Sequence, residues 1–259
     1  MKFLDGITET RRSELLAALK AEWTHDSTAI EGNTLTLGDT MFVLSYGLTV
    51  KGKPLKDQID VQNHARAIDR VLEIFVRGRL SEEDLFDLHR LVINEQSRDI
   101  YKPVGAYKRE DNGTYRNVDG KSVYHAYLPA DEVPAAMKTW LEEFNKHYKS
   151  DATEVEMIEA YVRSHLTFTS IHPFFDGNGR LARLVSNLPV MFAGFPPIVI
   201  PIEMREEYLN ALLLGETGDF EPFRQLVRES WHETRRLVEE ARSDSLRTLG
   251  RAPGLARLD

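Results

Sequence analysis

The chain has 259 residues, with 33 basic and 41 acidic side chains, a formal net charge of −8 and no cysteine. This length fits one large domain, or a core with a smaller appendage, and leaves room for a substantial hydrophobic core. Without cysteine, disulfides, thiolate nucleophiles and Cys-based metal sites are excluded, so any metal must bind to oxygen or imidazole. Because the acidic balance provides no broad basic surface, we expect no nucleic-acid partner.

The sequence also predicts no membrane association. No apolar run approaches the roughly 20 residues that a helix needs to span a bilayer. The N-terminal segment MKFLDGITETRRSELL has neither the basic start nor the apolar middle of a signal peptide. We therefore expect a cytoplasmic protein.

Apolar residues recur at three- and four-residue spacing through most of the chain, which predicts a mainly α fold. The predicted helices cover residues 8–23, 57–76, 81–95, 131–147, 153–170, 179–193, 203–214 and 220–241. We divide the chain into an N-terminal helical region at 1–80, a core with C-terminal helices at 81–241, and a mobile tail at 242–259. The tail is predicted because proline, glycine and unpaired charges replace the periodic pattern near the C-terminus.

One stretch departs from the helical pattern. Between residues 105 and 129, alternating Thr, Val and Tyr surround the pair Asp119-Gly120, which favours a two-residue hairpin turn. The sequence therefore predicts a β-hairpin. Two interpretations stay open: a surface hairpin that only connects helices, or a flap whose edge pairs with an extended peptide.

The residues with the most chemical potential lie in one run, HPFFDGNGRLAR at residues 172–183, named here the signature segment. Pro173 disfavours the helical conformation for His172, so the preceding helix is predicted to end there. Two glycines then flank Asn178 immediately before a new apolar helix, where backbone N–H groups can converge at the positive helix end. The two phenylalanines after Pro173 are expected to anchor the loop in the core. This pattern predicts an anion-binding loop.

The charged side chains of the signature segment fit the same chemistry. Arg180 and Arg183 are three residues apart on one helix and share a face, so both can donate to an anion. Asp176 offers a hard oxygen ligand, and Mg²⁺ commonly bridges carboxylates and substrate phosphates. His172 is a base with an ordinary pKa near 6.5, able to accept a proton from a hydroxyl nucleophile. Each feature alone is typical of turns and surface salt bridges, but their coincidence indicates transfer of a phosphorus group.

The signature segment resembles the signature loop of the Fic family: His, any residue, Phe, any residue, Asp or Glu, Gly, Asn, Gly, Arg, and a second Arg three residues on. Every specified position matches. Further segments look like family landmarks in family order, and together they cover about residues 20–230: DLHRLV at 87–92, GAYK at 105–108, the predicted hairpin, and YLNALLLGETGDFEPF at 208–223. One departure is Lys108, which stands where arginine is common.

The resemblance implies a Fic-fold helical bundle with a β-hairpin flap near the active site. It also implies an enzyme that transfers AMP from ATP to a Ser, Thr or Tyr hydroxyl of a target protein and releases pyrophosphate. His172 would be the general base, and Asp176 would hold the Mg²⁺ that bridges the α- and β-phosphates. The residues implied to bind the phosphates are Gly177, Asn178, Gly179, Arg180 and Arg183. The target would dock on the flap, while self-modification and a homodimer are left open.

Gly179 bears on which phosphate is attacked. Relatives of the Doc type, which act as kinases, carry lysine at this position, so by resemblance glycine favours attack at the α-phosphate. The physical part of this inference is that glycine lets a phosphate approach the backbone more closely.

A second motif, DSTAIEGN, occupies residues 26–33. One interpretation is a short helix that begins with a capping box from Thr28 to Glu31 and stops at Gly32 or Asn33. The motif also resembles the inhibitory motif of the Fic class with an N-terminal inhibitory helix. In that reading, Ser27, Glu31 and Gly32 match, and Glu31 reaches Arg183 and withdraws it from the γ-phosphate.

Two other functions remain open from the sequence. One is a phosphodiesterase that removes AMP from a modified protein at the same site, with Glu31 orienting water. The other is a non-catalytic module that binds nucleotide. The helical histidines His64, His89 and His165 are expected to pack or form structural hydrogen bonds, because no His-Glu-x-x-His spacing occurs.

Overall fold

The structure of the chain, a computed structural model, describes residues 1–93, 102–118 and 120–250. These residues confirm the predicted mainly α fold. The helices are α1 (Glu9–Ala29), α2 (Leu37–Tyr46), α3 (Leu55–Arg77), α4 (Glu82–Ile93), α5 (Val133–Asn145), α6 (Glu154–Ile171), α7 (Asn178–Val185), α8 (Asn187–Ala193), α9 (Arg205–Glu216) and α10 (Glu221–Gly250). Short 3₁₀ turns lie at Lys2–Leu4 and Ile202–Met204.

The predicted hairpin is present as β1 (Gly113–Val118) and β2 (Lys121–Ala126), an antiparallel pair. This pair is named here the flap hairpin. Tyr115 faces Tyr124 across it, and their rings pack edge to face with centroids 5.3 Å apart. Gly120 has a φ of +78°, as the predicted turn requires. The other turn residue, Asp119, lies outside the described residues.

Several predicted boundaries differ from the structure. Helix α2 was not predicted, because it is short and exposes apolar side chains such as Met41 and Tyr46, so it has no clear periodic face. Its N-terminus instead carries a capping box between Thr36 and Asp39. The predicted helix 179–193 is two helices, α7 and α8, which meet at the fully buried Ser186.

The last helix is longer than the sequence indicated. Helix α10 continues to Gly250, nine residues past the predicted end at Ala241. Residues 242–250, assigned to the tail from the sequence, are therefore helical, and residues 251–259 lie outside the described part. At the other end of the core, α4 reaches Ile93, and the last two residues of its predicted range are also outside that part.

Helix α7 lies at the centre of the fold and positions the signature segment. It packs against α1, α3, α4, α6 and α8. Its apolar side chains, including Leu181 and Leu184, are fully buried in the largest hydrophobic cluster, which also takes in α4, α5 and α8. Burial on all sides fixes α7, so its N-terminus is held between the C-terminal end of α1 and helix α4.

Across the described ranges, no helix combines the length and apolar character that crossing a membrane requires.

Candidate active site

His172 lies immediately after the last residue of α6, where Pro173 was predicted to end the helix. Its φ is +52°, and it is the one non-glycine residue with a positive φ among the residues that the structure describes. Such a conformation disfavours an L-residue by about 1 kcal/mol, so it persists only where the surroundings enforce it. The prediction that the imidazole lies at a loop entrance is confirmed.

The contacts of the His172 ring define its tautomer. Nδ1 lies 3.4 Å from the carbonyl oxygen of Thr169, which can only accept a hydrogen bond, so Nδ1 carries the proton. The lone pair of Nε2 is then left to act as a base. Burial, followed by the positive charge of Lys108, lowers the pKa of His172 to about 4, so the ring is neutral near pH 7.

Two side chains hold the loop after His172 in place, the ring of Phe174 and the amide of Asn178. Phe174 is fully buried. The amide of Asn178 grips the backbone of Phe174: Oδ1 accepts from its N–H at 3.0 Å, and Nδ2 donates to its carbonyl at 2.8 Å. Phe175 is only half-buried, with the Lys102 ammonium 4.9 Å from its ring centroid. The predicted anchoring is complete for Phe174 and partial for Phe175.

His89 on α4 is a second anchor of the loop, whereas the sequence predicts only a structural histidine at this position. Its ring stacks on Phe174 with centroids 4.1 Å apart. Nδ1 accepts from the N–H of Gly105 at 2.8 Å, so Nε2 carries the proton and donates to the Asp176 carbonyl at 3.2 Å. Burial lowers the pKa of His89 to about 4. The DLHRLV pattern could indicate a structural histidine, but not which loop it holds.

We expect His89→Leu to lower the free energy of unfolding by about 1–3 kcal/mol. The buried N–H of Gly105 loses its acceptor and the carbonyl of Asp176 loses its donor, because the His89 ring serves both. Urea denaturation followed by circular dichroism measures this change. The matched control is His232→Leu, at an exposed position on α10. Equal stability of the two variants would contradict the anchoring role of His89.

The two glycines of the signature segment have different surroundings. Gly177 has a φ of +80°, and a Cβ there would come 2.8 Å from Ile93 Cδ1. A Cβ on Gly179 would come 2.7 Å from Oε1 of Glu31. The carboxylate of Glu31 therefore lies against the first turn of α7, at the positive end of that helix.

Arg183 is buried, with 3% of its side chain exposed, and the predicted inhibitory motif contacts it directly. Its Nε donates to Ser27 Oγ at 3.0 Å, and Nη2 donates to the Ser27 carbonyl at 2.8 Å. Nη2 also forms a 2.7 Å ion pair with Glu31 Oε1, while Nη1 donates to Tyr208 Oη at 3.1 Å. Burial opposes the Glu31 charge, but the charge of Arg183 and its hydrogen bond outweigh burial and lower the pKa of Glu31.

Arg180 points elsewhere, although it shares the helix with Arg183. Its Nη1 donates to the Val92 carbonyl at 3.0 Å, and Nη2 lies 3.7 Å from Asp176 Oδ1. The Asp176 side chain is 74% exposed and accepts a 2.6 Å hydrogen bond from the N–H of Gly177. The two arginines therefore border the loop from two sides, with Arg180 towards α4 and Arg183 towards α1.

The structure corrects the capping interpretation of residues 26–33. Helix α1 runs through Ala29, so Thr28 lies inside the helix and is not an N-cap. Its hydroxyl donates to the Thr24 carbonyl at 2.9 Å, a bond within the preceding turn. Gly32 has a φ of +95°, which confirms the predicted left-handed stop after the helix.

Residues 30–33 form a turn, named here the Glu31 turn, that is held from two sides. Arg205 Nε donates to the Ile30 carbonyl at 2.7 Å. The Asn33 amide donates to the Asp57 carbonyl at the start of α3, at 2.8 Å. These bonds fix the position of Glu31 beside α7. The sequence motif indicated Ser27, Glu31 and Gly32, but no local pattern indicated Arg205.

A polar cavity of about 300 Å³ opens between the Glu31 turn, the start of α3 and the signature segment. Glu31, Asp176 and Arg180 line it, together with Lys56 and Asp60 from α3. Among the residues that the structure describes, no group of three or more His, Asp or Glu side chains has the arrangement of a metal site.

The remaining predicted structural histidines are buried. His64 is buried beneath α7, and burial, followed by the charges of Arg183 and Arg180, lowers its pKa to about 3. The Nε2 atom of His165 lies 3.1 Å from Tyr208 Oη, the hydroxyl that also accepts from Arg183. His165 therefore supports the hydroxyl that Arg183 contacts, in keeping with the structural role expected from the sequence.

The fold is a helical bundle in which a histidine stands at the entrance of a glycine-lined loop, and the loop leads into a central helix. This arrangement is that of a Fic-type domain. Residues 79–190 match the sequence model of the Fic/DOC family, so this part of the chain is a Fic domain. This finding and the geometry confirm the resemblance inferred from the signature segment.

Known proteins similar to this chain include curated enzymes. It is 32% identical over 212 residues to the protein adenylyltransferase fic-1 of Caenorhabditis briggsae, covering 79% of this chain and 38% of that protein. It is 29% identical over 244 residues to the protein adenylyltransferase Fic of Drosophila willistoni, covering 93% of this chain and 46% of that protein. The chain thus spans less than half the length of these relatives.

Solved structures show the same fold. A Fic-domain-containing signaling protein from Bacteroides thetaiotaomicron superposes with a TM-score of 0.80 at 25% identity, covering 94% of this chain and 92% of that one. Fic-1 from Caenorhabditis elegans superposes with a TM-score of 0.68 at 27% identity, covering 94% and 67%. The Fic-fold bundle with its β-hairpin is therefore confirmed.

Proposed function

We propose that this protein is an adenylyltransferase that transfers AMP from ATP to a Ser, Thr or Tyr hydroxyl of a target protein. The observation that carries the proposal is the His172 ring, whose Nε2 lone pair stands at the entrance of the glycine-lined loop that opens α7. The similarity to relatives that are protein adenylyltransferases supports the same activity.

The reaction needs one proton acceptor and a site that binds the triphosphate. The hydroxyl oxygen of the target attacks the α-phosphorus, and the bond from that phosphorus to the oxygen bridging to the β-phosphate breaks. Pyrophosphate leaves, and the hydroxyl proton passes to Nε2 of His172. Phosphorus transfer depends mainly on positioning and charge neutralisation, so one base, His172, is enough to accept the proton.

The phosphates bind where the structure offers N–H donors and cations. The first turn of α7 provides the backbone N–H groups of Asn178, Gly179 and Arg180 at the positive end of the helix. Arg180 and Arg183 border this turn from two sides and supply fork-shaped donors. The Asn178 side chain also keeps the loop in shape through its bonds to the backbone of Phe174.

Asp176 fits the proposed Mg²⁺. Its carboxylate is mostly exposed and faces the polar cavity. Magnesium in nucleotide sites usually takes one or two carboxylates plus substrate phosphates and keeps several waters, so a cluster of protein ligands is not needed. Bound there, the ion would neutralise phosphate charge; Asp176 is the residue that would hold it.

Glu31 is proposed to inhibit the same site. Its carboxylate occupies the space beside Gly179, where a phosphate would bind to the N–H groups at the start of α7. The same carboxylate forms the 2.7 Å ion pair with Arg183. A nucleotide phosphate would therefore meet a like charge and lose the donors of one arginine. Displacement of the Glu31 turn would break the hydrogen bonds from Arg205 to Ile30 and from Asn33 to Asp57.

The remaining proposals concern organisation and partners. We retain the division into an N-terminal region at 1–80 that carries the inhibitory motif and a core at 81–241. The exposed β2 strand of the flap hairpin supports docking of an extended target segment. Self-modification, a homodimer and a cytoplasmic location stay proposals drawn from the sequence.

Labelled ATP tests the proposed activity. We expect Glu31→Gly protein, incubated with Mg²⁺ and ATP, to transfer label to protein from α-labelled but not from γ-labelled nucleotide. Protein candidates from a lysate and the chain itself serve as acceptors. Label from γ-labelled ATP would indicate a kinase, and ATP binding without any protein label would favour the non-catalytic module.

A second activity is favoured by the position of Glu31, whose side chain is 43% exposed towards the cavity and could orient a water molecule. A phosphodiesterase at the same site would release AMP from a pre-modified protein, and the release would be lost in Glu31→Gln. AMP release that is unchanged in Glu31→Gln would contradict this role.

A further inference from the structure

The flap side of His172 carries two residues that the proposed reaction has not used. The ring of Tyr127, just after β2, lies parallel to the His172 ring, with centroids 3.6 Å apart and planes 2° apart. Lys108 Nζ lies 5.9 Å from the centroid of the Tyr127 ring. The Lys108 side chain is buried, and its ammonium donates to Asn112 Oδ1 at 2.7 Å.

The backbone ties the same residues together. The N–H of Lys108 donates to the carbonyl of Pro173, the residue after His172, at 2.9 Å. The N–H of Tyr127 donates to the carbonyl of Asn112 at 3.1 Å. Asn112 therefore accepts from Lys108 through its side chain and from Tyr127 through its backbone. The flap hairpin is thereby joined at its base to the histidine loop.

We propose that Tyr127 and Lys108 are positioning residues for His172, with Tyr127 fixing the plane of the imidazole and Lys108 bracing Tyr127 while presenting a positive charge to the ring. This inference rests on the proposed role of His172 as the base. The stack covers one face of the ring, and the Thr169 carbonyl accepts from Nδ1, so two constraints direct Nε2.

The charges around His172 agree with this role. Lys108 comes from the segment before the flap hairpin, Asp176 from the signature segment and Glu216 from the end of α9. Burial has the largest effect and lowers the pKa of His172; Lys108 lowers it further, whereas the Thr169 carbonyl and the two carboxylates raise it. Without Lys108, burial alone would oppose the two carboxylates, so the pKa of His172 would rise towards its ordinary value.

Proton titration of His172 tests the charge of Lys108 without any turnover. We expect nitrogen-15 NMR of the full, metal-free chain to show that Lys108→Met moves the His172 titration to higher pH by roughly half a unit or more. Lys108→Arg, which keeps the charge, should restore the wild-type titration. Lys138→Met, which removes a lysine from an exposed position on α5, is the matched control and should leave it unchanged.

Steady-state kinetics in the Glu31→Gly protein test the stack. We expect Tyr127→Leu to lower kcat about tenfold with little change in the KM for ATP, because the ring plane is lost while the nucleotide site is kept. Tyr127→Phe, which keeps an aromatic ring, should retain most of the activity. A His172 titration that is unchanged in Lys108→Met, or equal kcat for the Leu and Phe variants, would overturn the inference.

The two arms separate this inference from the proposed function. If no variant transfers AMP, the proposed function fails, and the titration of His172 still decides the effect of Lys108. If AMP is transferred but neither Lys108 nor Tyr127 changes the titration or kcat, only the positioning role fails. Should Lys108→Met not fold, as judged by circular dichroism, the Tyr127 pair decides the proposal.

Discussion

Replacing Glu31 by glycine is expected to raise the rate of AMP transfer about ten- to a hundredfold. An opposite-charge contact at about 4 Å with an effective dielectric of about 20 is of order 4 kcal/mol before desolvation is subtracted. Since 43% of the Glu31 side chain is exposed, solvent screening reduces this figure. A remaining difference of about 1.4 kcal/mol corresponds to a factor of ten. The measurement is the initial rate of label transfer from α-labelled ATP.

Two variants separate the charge of Glu31 from its bulk. Glu31→Gln keeps the shape and removes the charge, so it should activate in part if the ion pair with Arg183 matters. Glu207→Gln removes a carboxylate from an exposed position on α9 and should leave the rate unchanged. Equal, low rates for wild type, Glu31→Gln and Glu31→Gly would show that the contact with Arg183 does not restrain the site.

Replacing His172 by alanine is expected to lower AMP transfer by about 10²- to 10⁴-fold in the Glu31→Gly background, the usual effect of removing a general base. ATP affinity should be nearly unchanged, because the proposed role of His172 is towards the hydroxyl of the target protein, whereas the phosphates of ATP bind at the start of α7. Rates of label transfer and isothermal titration calorimetry with ATP measure the two quantities.

The control for this variant is His232→Ala, at an exposed histidine of α10 far along the chain from the signature segment. It should transfer AMP at the rate of the parent Glu31→Gly protein. Transfer by His172→Ala at that same rate would remove His172 from the reaction and leave the Fic fold without its proposed base.

The signature segment was predictable because its chemistry is local. Pro173 dictates where α6 ends, and two glycines around Asn178 dictate how α7 begins, so the position of His172 follows from a dozen residues. The long helices were also predictable, since periodic apolar faces decide them. The hairpin followed from turn chemistry and alternation in the same way.

Contacts between distant segments were not predictable from spacing alone. The anchoring of the loop by His89, and the support of Arg183 by Tyr208, join residues far apart in sequence. Glu31 was connected to Arg183 only through the family resemblance. The capping box at Thr28 was wrong because packing extends α1 past it, so tertiary contacts override a valid local pattern. The division of α7 from α8 has a local cause, because Pro189 has no N–H to donate to the carbonyl of Val185.

A crystal structure of the Glu31→Gly protein with Mg²⁺ and a non-hydrolysable ATP analogue tests the central claim most directly. The account predicts that the α-phosphate lies at the first turn of α7 and that Arg183 is turned towards the γ-phosphate. Between the α-phosphorus and Nε2 of His172 there should be room for the hydroxyl of a target protein. A triphosphate bound in the reverse direction, with its γ-phosphate nearest His172, or a nucleotide bound away from the signature segment, would contradict it.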